Sequence, residues 1–506
     1  MNAVTRIETL ADRNGWRDRV AFQVDGEPYT HDEIHRLGAA VAAGLAARGV
    51  GRGDRVLVAL PDGAGLVAVF LGAARLGAIT VLVNPALAPA DHAGFAGDCA
   101  PSVVVAEDEL ADRFDRARFC TVERVLALAA GRAAGEPVDV GDDAPLYVQY
   151  TSGTTGRPKG AVHTHGQLEA YVRCVGRGVF AIGPDDRLLS VSKLYFAYGF
   201  GNALVFPLYT GASAVLFTRR PSPGQVAAAV LRHRVTLLFA VPSFYAKLLG
   251  DLPPGATGSL RAAVSAGEKM PPALGERVAR ALGAPVLEQI GSTEGGHAFC
   301  ANSVFHNVPG TLGRAVPECE LQVRDPAGRL LPAGEIGELW VRGPMIMTGY
   351  LNRRPETDAV LVDGWLNTRD RVSRRADGTH VHHGRTDDVE IVGGINVAPA
   401  EIEAVLGRHP AVREVAVVAV RTETGATALR AFVVPDGGPA DGTVLQAELV
   451  ALARAELAAF KVPRSVRFID ELPRTHSGKV RRFLLREVGA VPATAENRSR
   501  SGGTPR

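Results

Sequence analysis

The segment Tyr150–Gly160, which reads YTSGTTGRPKG, combines glycines, hydroxyl side chains and a lysine in one short stretch. Glycines let the backbone turn its N–H groups toward an anion, hydroxyl groups add hydrogen-bond donors, and Lys159 adds positive charge. The sequence therefore predicts a loop that binds phosphate groups. It is not a Walker A loop, because Arg157 and Pro158 separate Gly156 from the lysine. A plain surface loop of glycine, serine and threonine rarely ends in such a lysine.

Four further segments carry groups that suit a nucleotide. They are Gln289–Glu294, with hydroxyl groups and a carboxylate for a phosphate oxygen and Mg2+; Asn367–Asp370, with an acid for ribose hydroxyls; Gly384–Arg385, with a guanidinium for phosphate or ribose; and Arg474–Lys479, with a lysine on a Gly/Ser turn. Each segment alone also fits an ordinary loop. The five in this order along one chain indicate a nucleotide-binding protein.

The composition is that of an ordinary globular protein, with 46% apolar and 22% charged residues among 506. The net charge of +2 gives no reason to expect nucleic acid or an anionic membrane as a partner. The N-terminus is too polar for a signal peptide, and the five cysteines are scattered. We therefore predict a cytoplasmic protein with neither a disulfide framework nor a zinc site.

Regular structure must hold these segments, and from about residue 20 to 380 apolar runs alternate with helical patterns. We predict buried strands over 56–60, 79–83, 103–106, 214–217 and 237–241, and helices over 91–99 and 223–234. Such alternation predicts an α/β fold, with parallel sheets covered by helices. After residue 310, strands with polar turns, such as Gly337–Arg342, predict a β-rich, barrel-like portion.

A smaller unit begins near Gly384–Asp388. We predict helices over 399–409 and 443–459 and strands over 412–420, 431–434 and 465–469, which together make an α+β domain of about 100 residues. The predicted organisation is an N-terminal domain over 1–386, a C-terminal domain over 387–489 and a disordered tail over 490–506, which is rich in Ser, Gly, Thr, Pro and Arg.

The five segments together resemble the acyl-adenylate-forming superfamily of acyl-CoA synthetases, peptide-synthetase adenylation domains and luciferases. The resemblance covers about residues 20 to 489. Within the superfamily, Ser192–Asn202 and Gly291–His297 are most similar to the benzoate-CoA ligase branch. The resemblance implies an ATP- and Mg2+-dependent ligase that adenylates an aromatic carboxylic acid, releases pyrophosphate and forms a thioester with CoA.

The resemblance also implies roles for individual residues. Thr293 meets the α-phosphate, Glu294 holds Mg2+, Lys479 bridges the carboxylate and the α-phosphate, and Asp387 is the hinge of a mobile C-terminal domain. The other positions implied for ATP or AMP are Thr151, Ser152, Gly153, Thr154, Thr155, Lys159, Gly267, Glu268, Lys269, Glu288, Ile290, Gly291, Ser292, Asp370 and Arg385. Those implied for the acyl group are Phe196, Ala197, Tyr198, Gly199, His297 and Ala298, and those for CoA are Gly393 and Gly394.

The sequence leaves several alternatives open. The acyl acceptor is CoA or the phosphopantetheine of a carrier protein, and a nucleotide-binding regulator without ligase activity is a further interpretation. Phe196–Tyr198 line a flat, apolar acyl slot or pack in the core behind the sheet. His380–His383 form a wall beside the adenine or contribute to a metal site. The protein is a monomer or a homodimer.

Lys479→Ala is expected to abolish adenylate formation and to leave thioester formation from a supplied aryl-adenylate largely intact. Attack of a carboxylate on ATP brings two anions together, and a lysine on a flexible stem offsets that repulsion only in the first step. Pyrophosphate release and thioester yield, measured separately on the variant, test this prediction. Equal loss in both half-reactions would mean that Lys479 supports folding instead.

Overall fold

The computed structural model describes residues 1–151, 158–252, 258–386, 390–392, 395–397, 399–421, 427–436, 442–474 and 480–489. Contacts between residues divide the chain into two compact units. The first comprises residues 1–335, 339–368 and 374–381, and the second comprises 336–338, 369–373 and the chain from 382 onward. The limits of the domains stay a prediction, and the predicted tail over 490–506 lies outside the described residues.

Helices and strands follow one another throughout the described ranges. The helices are α1 Ala3–Arg13, α2 His31–Ala47, α3 Ala64–Arg75, α4 Pro89–Cys99, α5 Val122–Ala129, α6 Gln167–Tyr171, α7 Ala197–Phe200, α8 Phe206–Thr210, α9 Pro223–Arg232, α10 Pro242–Leu248, α11 Pro272–Leu282, α12 Arg354–Asp358, α13 Pro399–Leu406, α14 Gly442–Glu456 and α15 Arg482–Gly489. The strands are β1 Val20–Val24, β2 Glu27–Thr30, β3 Arg55–Ala59, β4 Ile79–Leu82, β5 Val103–Ala106, β6 Phe119–Cys120, β7 Pro145–Thr151, β8 Lys159–Thr164, β9 Arg187–Ser190, β10 Ser213–Leu216, β11 Leu237–Ala240, β12 Ala262–Ser265, β13 Val286–Gly291, β14 Ala298–Ala301, β15 Arg314–Ala315, β16 Glu320–Arg324, β17 Ile336–Arg342, β18 Gly349–Tyr350, β19 Leu361–Val362, β20 Trp365–Arg374, β21 His380–Arg385, β22 Glu390–Val392, β23 Ile395–Val397, β24 Val412–Arg421, β25 Thr427–Pro435 and β26 Ser465–Phe468.

The first unit contains sheets that are built around parallel strands. One has the strand order β18-β8-β7-β4-β3-β5-β6, and another has the order β15-β14-β13-β12-β11-β9-β10-β1-β2. Every residue of β5, β11 and β12 is buried, as is typical of parallel strands that helices cover on both faces. A further sheet, with the order β16-β17-β20-β19 and β21 paired with β20, forms the β-rich portion after residue 310.

The second unit has a core of its own. Strand β24 pairs with β25 in antiparallel fashion, and β26 pairs with β25 in parallel. Ile402 of α13, Val417 of β24, Val433 of β25 and Leu449 of α14 belong to one buried apolar cluster. This arrangement is the α+β domain that the sequence predicts.

The predicted fold class is confirmed, and the helix predicted over 91–99 ends at Cys99 as predicted, whereas three other predicted helices extend too far at their carboxyl ends. The helix predicted over 223–234 ends at Arg232, because Arg234 takes a left-handed backbone with a φ of 51°. The helix predicted over 399–409 ends at Leu406, and Pro410 disfavours helical backbone at His409, the last residue of the predicted range. The helix predicted over 443–459 ends at Glu456. None of the helices in the described ranges is long and apolar enough to cross a lipid bilayer.

Several histidines are buried in the first unit. His31 and His35 lie on α2, His165 follows β8, and His297 precedes β14. Burial, with smaller contributions from neighbouring charges, lowers the pKa of His31, His35 and His165 to about 4, and burial alone lowers the pKa of His297 to about 3. The ordinary imidazole pKa is about 6.5, so these rings stay neutral in the folded protein at pH 7.

The free energy of unfolding is expected to fall as the pH drops from about 6.5 toward 4. Over this range the unfolded chain binds protons that the folded chain excludes, so each ring adds a slope of at most about 1.4 kcal/mol per pH unit. The contribution of the neutral rings to the free energy of unfolding is fully present above pH 6.5. It is lost as the pH falls from there through the folded pKa of about 4.

Urea unfolding midpoints measured between pH 7.5 and 5.5 test this prediction, with His35→Leu and the exposed His306→Gln as a matched pair of variants. The first substitution should flatten the pH dependence and the second should leave it unchanged. The same slope in wild type and in His35→Leu would contradict the prediction.

Candidate active site

The predicted phosphate loop joins the two strands of a β-hairpin. Strands β7 and β8 pair in antiparallel fashion, so Thr151 lies opposite Lys159 and Tyr150 opposite Gly160. The Lys159 Nζ lies 5.3 Å from the centre of the Tyr350 ring, over its face, which is a favourable cation–π position. The predicted phosphate-binding residues Ser152, Gly153, Thr154 and Thr155 lie outside the described residues.

The turn between β13 and β14 carries the predicted threonine and carboxylate. The Tyr350 hydroxyl donates to Glu294 Oε1 at 2.8 Å, and the backbone N–H of Met347 donates to the carbonyl of Glu294 at 2.8 Å. The Ser292 hydroxyl accepts from the backbone N–H of Gly295 at 3.0 Å. Tyr350 therefore contacts both Lys159, at the end of the predicted phosphate loop, and Glu294, in the segment after β13.

The predicted adenine-side residues lie at the carboxyl ends of neighbouring parallel strands. Strand β12 precedes Gly267–Lys269, and Ser265 of β12 is paired with Glu288 of β13. The Glu268 carboxylate accepts from the backbone N–H of Ser243 at 3.1 Å and from its hydroxyl at 2.9 Å. Ligands of α/β proteins bind at this edge of a sheet, because the strands end there and the loops begin.

Glu288 and Ile290 belong to strand β13 itself. The Glu288 carboxylate accepts from the backbone N–H of Gly310 at 3.0 Å. Burial raises the pKa of Glu288, whereas this hydrogen bond and the charge of Lys269 act in the opposite direction. Gly267 has a φ of 86°, which a residue with a side chain rarely adopts.

Two of the predicted acyl-group residues, Tyr198 and Ala298, lie next to a third, His297. Helix α7 begins at Ala197 after Phe196, and the Tyr198 hydroxyl donates to the backbone carbonyl of Val264 at 3.1 Å. The ring centres of Tyr198 and His297 are 6.4 Å apart. His297 Nε2 lies 3.1 Å from Asn202 Oδ1, and Ala298 is the first residue of β14.

Close backbone approach requires glycine at three positions around this group. A methyl group at Gly199 would overlap the backbone carbonyls of Ser192 and Lys193, and one at Gly291 would overlap the carbonyl of His297. A methyl group at Gly201 would overlap the His297 ring. The seat of His297 therefore depends on glycine in two separate segments.

A buried ion pair anchors the segment before Phe196. Lys193 Nζ lies 3.7 Å from Asp62 Oδ2 and donates to the backbone carbonyls of Phe217 and, at 3.0 Å, Arg219. Asp62 Oδ1 accepts from the backbone N–H of Leu194 at 3.0 Å. Burial raises the pKa of Asp62 to about 6 despite the opposing charge of Lys193.

In the second unit, the structure brings together two residues that the sequence assigns to the nucleotide. Arg385 donates to Asp370 Oδ1 at 3.2 Å, and His382 Nε2 lies 3.4 Å from the same oxygen. His383 Nε2 lies 2.9 Å from the Ser373 hydroxyl. Within the described ranges, no group of three or more His, Cys, Asp and Glu side chains could hold a metal ion.

Some predicted residues cannot be compared with the structure. Lys479, the hinge Asp387 and the CoA positions Gly393 and Gly394 lie outside the described residues. Conversely, sequence reasoning missed Tyr350, Asp62 and Asn202 as partners of predicted residues. Among these contacts, only the one between Lys193 and Asp62 had a signal in the sequence. The chain has six lysines against many more arginines, so each lysine is a candidate for a specific role.

Comparisons with known proteins agree with this arrangement. Residues 10–351 match the family of AMP-binding enzymes, and residues 401–479 match the AMP-binding enzyme C-terminal domain. The chain is 42% identical over 488 residues to the p-hydroxybenzoic acid–AMP ligase FadD22 of Mycobacterium tuberculosis. The aligned residues cover 96% of this chain and 69% of that protein. It is 35% identical over 500 residues to the benzoate–CoA ligase of Thauera aromatica, which covers 95% of this chain and 94% of that protein.

A solved structure is similar over nearly the whole chain. The benzoate CoA ligase from Burkholderia xenovorans superimposes with a TM-score of 0.88 and 33% sequence identity, covering 96% of this chain and 100% of that chain. Family matches in both units, relatives of more than 30% identity and this likeness of fold all agree with the motifs. The chain therefore belongs to the family of AMP-binding enzymes, within the acyl-adenylate-forming superfamily that its motifs predict.

Proposed function

We propose that this protein is an ATP-dependent aryl-acid ligase. It adenylates a benzoate-type carboxylic acid, releases pyrophosphate and then forms a thioester with CoA. The observation that carries the proposal is that Tyr350 contacts both Lys159 and Glu294. These contacts connect the segment whose chemistry suits phosphates with the segment whose chemistry suits Mg2+. The relatives whose names specify benzoate or hydroxybenzoate support the choice of acid.

The first half-reaction needs positive charge and donors around the phosphates. Lys159 and the backbone of the hairpin loop offset the repulsion between the carboxylate and ATP, and Thr293 contacts the α-phosphate. The Glu294 carboxylate would hold Mg2+ together with phosphate oxygens, which suits an ion that uses few protein ligands. When bound, Mg2+ would neutralise phosphate charge. Lys479 completes the charge compensation at the α-phosphate.

The remaining nucleotide contacts are proposed from chemistry and position. The Asp370 carboxylate accepts from the ribose hydroxyls, and Arg385 contacts ribose or phosphate while it neutralises Asp370. Gly267–Lys269 and the residues from Glu288 to Gly291 line the adenine at the ends of β12 and β13. Asp387 is the hinge about which the C-terminal domain turns between the two half-reactions.

The acyl group lies against Phe196–Gly199, His297 and Ala298. Aromatic rings and small residues make a short, apolar surface that suits a planar ring better than a long alkyl chain. Burial keeps the pKa of His297 far below 7, so the ring meets the substrate as a neutral imidazole. A neutral ring near an aromatic acid avoids the cost of desolvating a charge.

CoA is the proposed acceptor, and a carrier protein is the alternative. CoA carries phosphates that need cations, yet Lys461 is paired with Glu401 at 2.7 Å and Arg482 is paired with Glu403 at 2.5 Å. Arg464, Arg467 and Arg481 are the further candidates for phosphate contacts in the same unit. Gly393 and Gly394 are proposed to let the backbone approach CoA closely. We further propose a cytoplasmic monomer or homodimer.

Pyrophosphate release with ATP is expected to be fastest with benzoate, hydroxybenzoates or aminobenzoates and slow with cinnamate and short fatty acids, because the slot is flat and short. A screen over this panel tests the proposed function. Pyrophosphate release with none of the acids would favour a nucleotide-binding regulator.

The same preparation, given the best acid, separates the two acceptors. Thioester yield is compared between free CoA and a phosphopantetheinylated carrier protein at equal thiol concentration. Higher yield with CoA is expected. Negligible turnover at millimolar CoA with rapid loading of the carrier would replace CoA by the carrier.

Gly201→Ala is expected to lower kcat/KM for the aryl acid by about 10- to 100-fold, because the added methyl group displaces the His297 ring from its seat. KM for ATP should change little. Pyrophosphate release at saturating ATP measures the effect. The matched control is Gly94→Ala, since a methyl group at that helical position meets no atom within 4 Å. Equal kcat/KM for the acid in both variants would remove His297 from the acyl site.

A further inference from the structure

A chain of buried hydrogen bonds lies directly beneath the turn that carries Thr293 and Glu294. The hydroxyls of Tyr147 and Tyr171 are 2.8 Å apart, and the Tyr171 hydroxyl lies 3.0 Å from His163 Nδ1. His163 Nε2 lies 2.8 Å from the backbone carbonyl of Thr293. The side chains of Tyr147, His163 and Tyr171 are fully buried, so solvent does not reach these three hydrogen-bonded side chains.

The bond to Thr293 determines where the His163 proton lies. A backbone carbonyl only accepts, so Nε2 must carry a hydrogen and donate it to Thr293. Nδ1 faces the Tyr171 hydroxyl and, at 2.9 Å, the Gln167 Oε1. The Nε2 proton stays between His163 and Thr293 whether or not Nδ1 is protonated. The ring therefore acts as a fixed donor under the turn.

The neighbours of His163 leave the turn little room to move. Gln167 donates to the carbonyl of Ile346, and the backbone N–H of Met347 donates to the carbonyl of Glu294 at 2.8 Å. Gly296 has a φ of 73°, and a methyl group there would come within 2.5 Å of the Tyr171 hydroxyl. The turn is thus held from below by His163 and Tyr171 and from the side by Met347.

His163 also belongs to the strand that carries Lys159. Both residues lie on β8, and side chains an even number of positions apart on a strand share a face. The strand that presents the phosphate-binding lysine is therefore joined, through one imidazole, to the turn that presents the threonine and the carboxylate. A shift of the ring would change the distance from Lys159 to Thr293 and Glu294.

We propose that His163 is a positioning residue for adenylation, which fixes the carbonyl of Thr293 and thereby sets the place of the Thr293 hydroxyl and the Glu294 carboxylate relative to Lys159. The proposal rests on the proposed function for its catalytic consequence. His163 itself is fully buried and contacts neither ATP nor the carboxylic acid. Its effect is larger in the half-reaction in which ATP is bound, because the Mg2+ at Glu294 and the β- and γ-phosphates leave with pyrophosphate, whereas only the contact of Thr293 with the α-phosphate remains in the aryl-adenylate.

Two conservative substitutions separate the donor from the rest of the side chain. The amide nitrogen of Gln reaches about as far as His Nε2, whereas that of Asn reaches only about as far as His Nδ1. His163→Gln should restore the donor to Thr293 and keep the kcat of pyrophosphate release within about threefold of wild type. His163→Asn should lose about 100-fold, the cost typical of misplaced reacting groups. In His163→Asn, thioester formation from a supplied aryl-adenylate should fall much less than pyrophosphate release, because only the α-phosphate contact of Thr293 is still in use.

The outcomes distinguish a positioning role from a structural one. Equal pyrophosphate-release kcat in the Gln and Asn variants, or equal loss in both half-reactions, would overturn the proposal. If circular dichroism shows that His163→Asn is unfolded, His163→Met takes its place. That side chain fills much of the same volume but offers Thr293 no hydrogen-bond donor, and wild-type kcat in this variant would overturn the proposal.

Binding of Mg–ATP by calorimetry keeps this test separate from the proposed function. If wild type releases no pyrophosphate with any acid, the proposed function fails. The affinity for Mg–ATP then still compares the variants, because the α-phosphate contact of Thr293 and the Mg2+ contact of Glu294 do not require the acid. Weaker binding in His163→Asn than in His163→Gln supports the positioning role, and equal binding rejects it.

Discussion

Strands that are buried on both faces leave room for polar chemistry only at their ends, and this constraint governs the first unit. Every residue of β11 and β12 is buried, so a charged side chain within them would lose its hydration without a partner. The chemistry-bearing residues accordingly follow the strands: Gly267–Lys269 come after β12 and Ser292–Glu294 after β13. The hairpin β7–β8 likewise presents Lys159 where its strands join the loop.

Close packing beneath these strand ends explains the glycines of the turn after β13. Gly291 lies against the backbone of His297, and Gly296 lies against the Tyr171 hydroxyl. A side chain at either position would push the turn away from the buried hydroxyls and imidazole below it. The glycines therefore serve the hydrogen bond from His163 to Thr293 as much as the shape of the turn itself.

Buried charges near the site are paired, as their desolvation requires. Asp62 and Lys193 form one such pair, and it ties the segment before Phe196 to the loop after β3. In the second unit, Asp370 accepts from Arg385. Because an unpaired buried charge costs several kcal/mol, each pair fixes the backbone that carries its two members. Positioning of the site and stability of the fold thus depend on the same contacts.

The sequence alone predicted the α/β fold class, the main strands and the chemical class of the site, because these depend on local patterns. Apolar runs over 103–106 and 237–241 became buried strands, since burial on both faces demands continuous apolar residues. The segments around Lys159 and Glu294 were recognisable because phosphate binding needs glycine, hydroxyl groups and charge within a few residues. Helix ends were less predictable, since the left-handed Arg234 has no strong sequence signal.

Only the tertiary structure decided which residues hold the site in place. His163 and Thr293 are 130 positions apart, Tyr350 and Glu294 are 56 apart, and Leu194 and Asp62 are 132 apart. No local sequence pattern marks such partners. A buried histidine or tyrosine in a strand has the same neighbours in sequence whether it only fills the core or also holds a site residue in place by a hydrogen bond. Their roles arise from the sheet order, which brings the ends of distant strands together, and the sequence of each strand carries no record of that order.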